Sequence, residues 1–129
     1  MSATAATVST LIPRIGAKWP TAGGVYGGRT SRGHLIVGLR AIEPACWTDA
    51  MAWATTRTHL GFHDWSLPSV EDLLVLHEVL QPEEHARFWT HEIAGEHDAL
   101  VVMFTPHIVC HFGREQLNLA IAVRHHQLN

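Results

Sequence analysis

Apolar positions in the last third of the chain form runs and alternations that are typical of β-strands. The run ALVVMFT at 99–105 is continuously apolar, which indicates a central strand, and HIVCHF at 107–112 is placed to pair with it. Large and small side chains alternate in NLAIAVR at 118–124, and RFWTHE at 87–92 is a shorter candidate strand. These segments predict an antiparallel sheet late in the chain.

The pattern before residue 61 predicts a pair of strands followed by a helix. Short apolar runs at 25–26 and 35–37 lie among glycines and serines, as in two strands joined by a turn. In the segment CWTDAMAWATTRTHLG, apolar residues recur at helical spacing. Either Thr48 or Asp49 can cap the start of this helix, and Gly61 marks a break beyond its end.

A second helix is predicted to begin directly after Pro68, which itself prevents a helix from running through this position. Ser69 is an N-cap candidate with Asp72 three residues later, a pattern that resembles a capping box. Pro82 is expected to end the helix. The elements therefore predict an α+β fold in which two helices brace a small antiparallel sheet.

The chain is expected to divide into an extended N-terminal arm at 1–18 and a folded domain at 19–129. The arm is rich in Ala, Ser and Thr, with few apolar anchors. One interpretation is a frayed terminus. The other is a segment that docks on a neighbouring subunit, with Leu11, Ile12 and Ile15 as anchors.

Composition and charge exclude several classes of protein. The 129 residues allow one domain, and 47% hydrophobic with 16% charged residues argues against general disorder. Nine Lys and Arg are thinly scattered in a chain of net charge −3, so nucleic acid is not an expected partner. Apolar runs are too short to span a membrane, and the N-terminus lacks a signal-peptide pattern. Cys46 and Cys110 are expected to be reduced and buried, although spacing alone leaves their pairing open.

Tryptophan and proline side chains are predicted to hold the helices in place. In GFHDWSLP, Trp65 supplies a large apolar face, while Leu67 and Pro68 set the angle between the two helices. Trp47 and Trp53 fill volume beside the small alanines of the first helix. We interpret this corner as structural, because Ser66 lacks the framing of a nucleophile elbow.

Several motifs in this order carry a resemblance to a known family. They are GGVYGG, HLIVG, WTDAMAWA, DWSLPSVEDLLVLH, FWT and a closing AIAVR. Over residues 23–124 the chain resembles the domain family of unassigned function found at the C-terminus of Lcl-type collagen-like adhesins and in many phage and prophage proteins. The chain departs from that pattern at Ser66, where the family often has Arg, and at Thr90-His91, where it has Ser-Ser.

The resemblance implies a C-type-lectin-like fold with a rigid scaffold and variable recognition loops. Those loops are expected at 91–98, 105–107 and 112–118. The candidate binding residues in and beside them are His91, His97, His107, Arg114 and Gln116.

Eleven histidines suggest an alternative, a metal-dependent lectin or an enzyme that uses the histidine-rich loops. In HIVCH, however, His107 and His111 would lie on one side of a strand with Cys110 on the other, which opposes a three-ligand site. Neither a metal nor a cofactor is expected. Because imidazoles gain charge as the pH falls through about 6.5, pH-sensitive association is a further hypothesis.

These observations favour a non-enzymatic binding or structural module of a bacteriophage virion, made in the bacterial cytoplasm and placed in the tail, baseplate or capsid. The expected partners are other virion proteins, a second copy of the chain in a homo-oligomer, and a host-surface glycan or protein.

Overall fold

The computed structural model describes residues 12–81, 85–104 and 107–127, and within these ranges seven strands form two antiparallel sheets. The first sheet has the order β1-β2-β3-β7, and the second has the order β4-β5-β6. The strands are β1 (Lys18–Trp19), β2 (Gly24–Thr30), β3 (Gly33–Arg40), β4 (Arg87–Ala94), β5 (Asp98–Met103), β6 (Ile108–Gly113) and β7 (Ile121–His126). The α+β class predicted from the sequence is confirmed.

The expectation of one late sheet is wrong, because the last strand joins the early hairpin. β7 pairs with β3 in antiparallel register, with Val37 opposite Val123. Only β4, β5 and β6 remain as a separate meander, in which Val101 lies opposite both Trp89 and Cys110. The alternation of large and small residues predicted β7 itself, but it carries no information about which strand β7 pairs with.

Three helices lie between the early hairpin and the late meander: α1 (Trp47–Thr55), α2 (Val70–Val75) and α3 (His77–Leu80). The N-cap of α1 is Cys46, with no side-chain hydrogen bond, so the prediction of Thr48 or Asp49 is wrong. The capping box of α2 is confirmed, because Ser69 and Asp72 each accept a hydrogen bond from the other's backbone N–H. A single second helix was expected, whereas the structure has two, α2 and α3, with the helix interrupted at Leu76. Pro82, the expected end of that helix, lies outside the described residues.

Two apolar clusters fill the space between helices and sheets, and both α1 and α2 contact strands of both sheets. One cluster includes Ala50, Ala54, Trp65, Leu67 and Trp89, with Trp47 and Trp53 packed against it. The other includes Leu73, Leu76, Phe88, Phe104 and Ile121. Pro68 is buried beside them. No helix among the described residues combines the length and apolar character needed to cross a membrane.

Part of the predicted arm contacts the first sheet. The N–H of Gly16 donates to the carbonyl of Tyr26 at 2.8 Å, the N–H of Tyr26 donates to Ala17 at 2.9 Å, and Lys18 belongs to β1. Of the three predicted docking residues, Ile12 and Ile15 are exposed, and Leu11 lies outside the described residues.

Candidate functional site

A polar cleft of about 700 Å³ lies at one end of the second sheet, beside the start of α1. In a meander, the β4–β5 turn and the end of β6 lie at the same end of the sheet, so residues 95–97 and 113–116 are neighbours. The cleft is lined by Cys46, Thr48, Glu96, His97, Gly113, Arg114, Glu115 and Gln116. It therefore brings together three of the five predicted binding residues, His97, Arg114 and Gln116.

Arg114 ties the walls of the cleft together through its backbone. Its N–H donates to the carbonyl of His97 at 2.9 Å, which extends the β5–β6 ladder by one pair. Its carbonyl accepts from the N–H of Trp47 at 2.9 Å, at the first residue of α1. The loop after β6 is thus connected both to the β4–β5 turn and to the helix.

The side chain of Arg114 is held just as firmly. Its Nε donates to the carbonyl of Asp98 at 3.1 Å, and its Nη2 donates to the carbonyl of Gly95 at 3.0 Å. The guanidinium carbon lies 4.9 Å from the centre of the Trp47 ring, a cation–π contact, and Trp47 itself donates to the carbonyl of Thr90. Its other N–H groups have no hydrogen-bond partner among the described residues, so these donors are available.

The rest of the cleft contains both hydrogen-bond donors and hydrogen-bond acceptors, including two carboxylates. His97 and Glu96 form an exposed pair at 3.8 Å, while Glu115 and Gln116 are exposed. Cys46 and Thr48 stand on the α1 side, and no hydrogen bond in the described part of the chain joins either side chain to an imidazole. The cleft can bind a polar ligand, but it does not show the nucleophile and base contact that acyl transfer needs.

His91 and His107 lie elsewhere. The backbone N–H of His91 on β4 donates to the carbonyl of Pro68 at 3.0 Å, and its Nε2 is buried with no hydrogen-bond partner. The ring of His107 is 4.4 Å from the His77 ring and 5.3 Å from that of Phe104, measured between centroids. Residues 105 and 106 of that predicted loop lie outside the described residues.

The sequence did not single out Cys46, Thr48, Glu96 or Glu115 as cleft residues. Glu96 and Glu115 fall within predicted loops, and the meander order of β4, β5 and β6 was the signal that could have placed those loops side by side. Cys46 and Thr48 had no such signal, because the approach of α1 to the sheet depends on packing between residues distant in sequence.

A second group of ionisable residues surrounds Arg124 on β7. The guanidinium donates to Asp64 at 2.7 Å and to the carbonyl of Ala22 at 2.6 Å, and its carbon lies 3.8 Å from the centre of the Phe62 ring. Burial alone would raise the pKa of Asp64, but the hydrogen bond and charge of Arg124 outweigh it and lower that pKa. These contacts join the segment between β1 and β2, the segment before α2, and β7, so Arg124 is engaged in holding the fold.

Two imidazoles of the first sheet, His34 and His126, have pKa values lowered by burial and by neighbouring charges. Burial and the charge of Arg29 lower the pKa of His34, whose Nδ1 lies 3.0 Å from the hydroxyl of Tyr26. Burial and the charges of Arg124 and His34 lower the pKa of His126, although Asp64 opposes this. The residues of this group contact one another and the first sheet, and none of them lines the cleft.

The cysteines and the metal-ligating side chains form neither a disulfide nor a metal cluster among the described residues. Cys46 and Cys110 are free thiols, but both are only partly buried, so the expectation that they are buried is wrong. Burial raises the pKa of Cys110, although the charge of Arg87 opposes this. Across residues 12–81, 85–104 and 107–127, no three His, Cys, Asp or Glu side chains are grouped to hold a metal ion. No known family model matches the chain, and no curated protein matches it.

Proposed function

We propose that this chain is a non-enzymatic binding and structural module of a bacteriophage particle, built on a C-type-lectin-like fold. The observation that carries the proposal is the meeting of His97, Arg114 and Gln116 in one cleft, although they come from two different loops. Recognition residues on loops that a rigid scaffold positions are typical of binding modules.

The fold assignment within this proposal rests on the family resemblance and on the order of the elements. The helices lie between an early hairpin and late strands, and residues 65, 67 and 68 are buried at the corner between α1 and α2. The ionisable groups around Arg124 are engaged in structural contacts, which leaves the loops at the cleft as the recognition surface. Other virion proteins and a host-surface glycan or protein are the proposed partners, and the virion is the proposed location.

The chemistry of the cleft favours a polyhydroxylated ligand. The Arg114 guanidinium and the Gln116 amide can donate to hydroxyl oxygens, and the Glu96 and Glu115 carboxylates can accept from hydroxyl hydrogens. Because a hydroxyl is both donor and acceptor, a sugar can satisfy both sets at once. A glycan of the bacterial cell surface is therefore the ligand class that we propose for this cleft.

Binding to an array of bacterial surface oligosaccharides tests this function. We expect R114A and Q116A to weaken binding at least tenfold, which corresponds to about 1.4 kcal/mol. R57A is the matched control, because Arg57 also lies over a tryptophan, at 5.6 Å from the Trp53 ring, but outside the cleft. Binding that both cleft variants retain in full would contradict the proposed site.

Incorporation into particles tests the structural part of the proposal. Deletion of residues 2–12 removes Leu11 and Ile12 but spares Gly16, Ala17 and Lys18, which contact the first sheet. It should remove the protein from purified virions while the folded domain remains in the cell lysate, as measured by immunoblotting. Normal incorporation of the shortened chain would contradict docking by the arm. Metal analysis of the same untagged protein addresses the alternative, because a stoichiometric bound ion would favour a metal-dependent lectin or enzyme.

A further inference from the structure

Strand β6 is an edge of the second sheet, and only some of its backbone groups are paired. The N–H of Arg114 donates to His97, so these two residues form a hydrogen-bonded pair of the antiparallel ladder. Such pairs alternate with non-hydrogen-bonded pairs along a ladder. The register of β5 and β6 therefore makes Cys110 with Val101, and Phe112 with Ala99, hydrogen-bonded pairs.

By the same alternation, the backbone groups of Val109 and His111 point away from β5. The ladder between β4 and β5 agrees with this. The N–H of Phe104 donates to Ala86, so Val102 is in a hydrogen-bonded pair with Phe88 on β4. The backbone groups of Val102 therefore point toward β4 and form no hydrogen bond with Val109. The carbonyl of Gly113 already accepts from Gln116. Two N–H and two C=O groups, on Val109 and His111, thus form an open edge with no backbone partner among the described residues.

The other sheet edges in the described part of the chain are short or covered. Leu119 exchanges hydrogen bonds with Arg87 and Trp89 on β4, and Ser66 exchanges two with Val123 on β7. β1 is two residues long and includes an exposed lysine. Proteins commonly prevent unwanted pairing at edges by shortness, by charge or by cover.

β6 has none of these protections. Its sequence IVCHFG contains no proline and no Lys, Arg, Asp or Glu. Ile108 and Val109 are 42% and 47% exposed. An edge with free backbone groups and exposed apolar side chains is suited to pairing with another strand.

We propose that β6 pairs with β6 of a second copy of this chain, antiparallel about a two-fold axis at Cys110, with Val109 opposite His111 of the partner subunit. The two three-stranded sheets then form one six-stranded sheet. This register places both open donors of each copy opposite open acceptors of the other, so all four groups on each strand are satisfied.

A second copy fits this edge because the strand is complementary to itself. In a two-fold antiparallel pair the same residues occur on both sides, and β6 has no permanently charged side chain to repel its own copy. The one ionisable imidazole, His111, is paired within its own chain with Asp98, so its charge is compensated when it is protonated. Edge pairing of short strands buries little area, so we expect a weak dimer that forms with rising concentration.

Sedimentation velocity over a concentration series tests the proposal. The wild-type mass should rise from 14.3 kDa toward twice that value as concentration increases. The V109P variant removes an N–H that points outward, so it should raise the dissociation constant at least tenfold without breaking the β5 ladder. V109T keeps the N–H and the branched side chain, and it should dimerise like the wild type.

Hydrogen exchange and a second variant keep the test decisive. If V109P does not fold, V109K leaves the backbone intact and places a charge at the edge, with the same expected loss of dimer. In the dimer, the amides of Val109 and His111 should be protected only at high concentration, whereas those of Cys110 and Phe112 should be protected throughout. A monomer at all concentrations, with those two amides exchanging freely, would overturn the proposal and leave the edge open to a strand of another protein. R114A should dimerise like the wild type. Failure of the proposed dimer is therefore distinguishable from failure of the proposed glycan site.

Discussion

At the scale of single residues, the buried ring of Trp65 limits the size of the residue that can occupy position 38. The indole is 3% exposed, and its Nε1 donates to the carbonyl of Phe62 at 3.0 Å, so the ring cannot easily move. A Cβ built at Gly38 on β3 would lie 2.5 Å from both Cη2 and Cζ3 of that ring. Gly38 therefore serves the close approach of the tryptophan to the first sheet.

The G38A variant should lower the free energy of unfolding by about 1–3 kcal/mol, because the added methyl group overpacks a rigid contact. Urea denaturation followed by tryptophan fluorescence measures the change. G113A is the matched control, since a Cβ at that position would meet only Asp98 Oδ1 at 3.9 Å and should change the stability little. Equal stability of G38A and the wild type would show that Trp65 is free to shift.

At the scale of elements, the start of α2 is joined to the last strand through one carboxylate. Asp72 is fully buried; Oδ2 accepts from the Ser69 N–H at 2.9 Å, and Oδ1 lies 2.9 Å from Nε2 of His125 on β7. Burial alone would raise the pKa of Asp72, but the hydrogen bonds from His125 and Ser69 outweigh it and lower that pKa. A local capping box thus also makes a long-range connection.

D72A should therefore destabilise the protein more than S69A does. Loss of the cap in S69A should cost about 0.5–2 kcal/mol. D72A keeps the Ser69 side-chain cap but removes the acceptor of the Ser69 N–H, and it also leaves the largely buried side chain of His125 without its acceptor; each loss costs about 1–3 kcal/mol. Thermal and urea unfolding of both variants measure the difference, and equal losses would mean that the contact with His125 contributes nothing.

The capping box could be predicted from the sequence, because its signal lies within the four residues from Ser69 to Asp72. The strand at 99–103 could be predicted for a similar reason, since a continuous apolar run is visible locally. The break between α2 and α3 could not be predicted from the sequence. The apolar stripe of the helix continues through Leu76 without interruption, and Leu76 is buried in the second cluster. Packing that involves residues distant in sequence decided the point at which the helix ended.

At the scale of the whole molecule, the histidines and aspartates whose pKa values shift all favour the fold at neutral pH. The pKa values of His34 and His126 are lowered below their ordinary value of 6.5, so protonation favours the unfolded chain. Their contribution to stability is complete above pH 6.5 and is lost as the pH falls through their folded values. Asp64 and Asp72 act in the same direction, from their ordinary value of 3.8 downward.

The free energy of unfolding should therefore decline in two stages as the pH falls, first below 6.5 and again below 3.8. Urea denaturation at a series of pH values measures both stages. H126N should reduce the slope of the first stage, because one imidazole no longer takes up a proton on unfolding. H97Q, which removes an exposed imidazole, controls for the loss of a histidine, and a flat profile between pH 7.5 and 5 would contradict this prediction.

The sequence predicted the loops that line the cleft, but it did not predict that these loops and α1 come together to form it. Arg114 and Gln116 could be chosen because they lie in a polar segment between predicted strands. Their closeness to Cys46 and Thr48 depends on how α1 packs, and the split into two sheets depends on β7 pairing with β3. Neither relation leaves a pattern within a short stretch of sequence.

The pairing of β3 with β7 has a consequence for how the protein is made. β3 ends at Arg40, and its partner begins at Ile121, so the first sheet cannot close until nearly all of this sequence has left the ribosome. Until then, the open side of β3 faces solvent in the nascent chain, where it is exposed to chaperones and to premature association. Folding that waits for its final strand is expected to be slow, since contacts between such distant residues must form late.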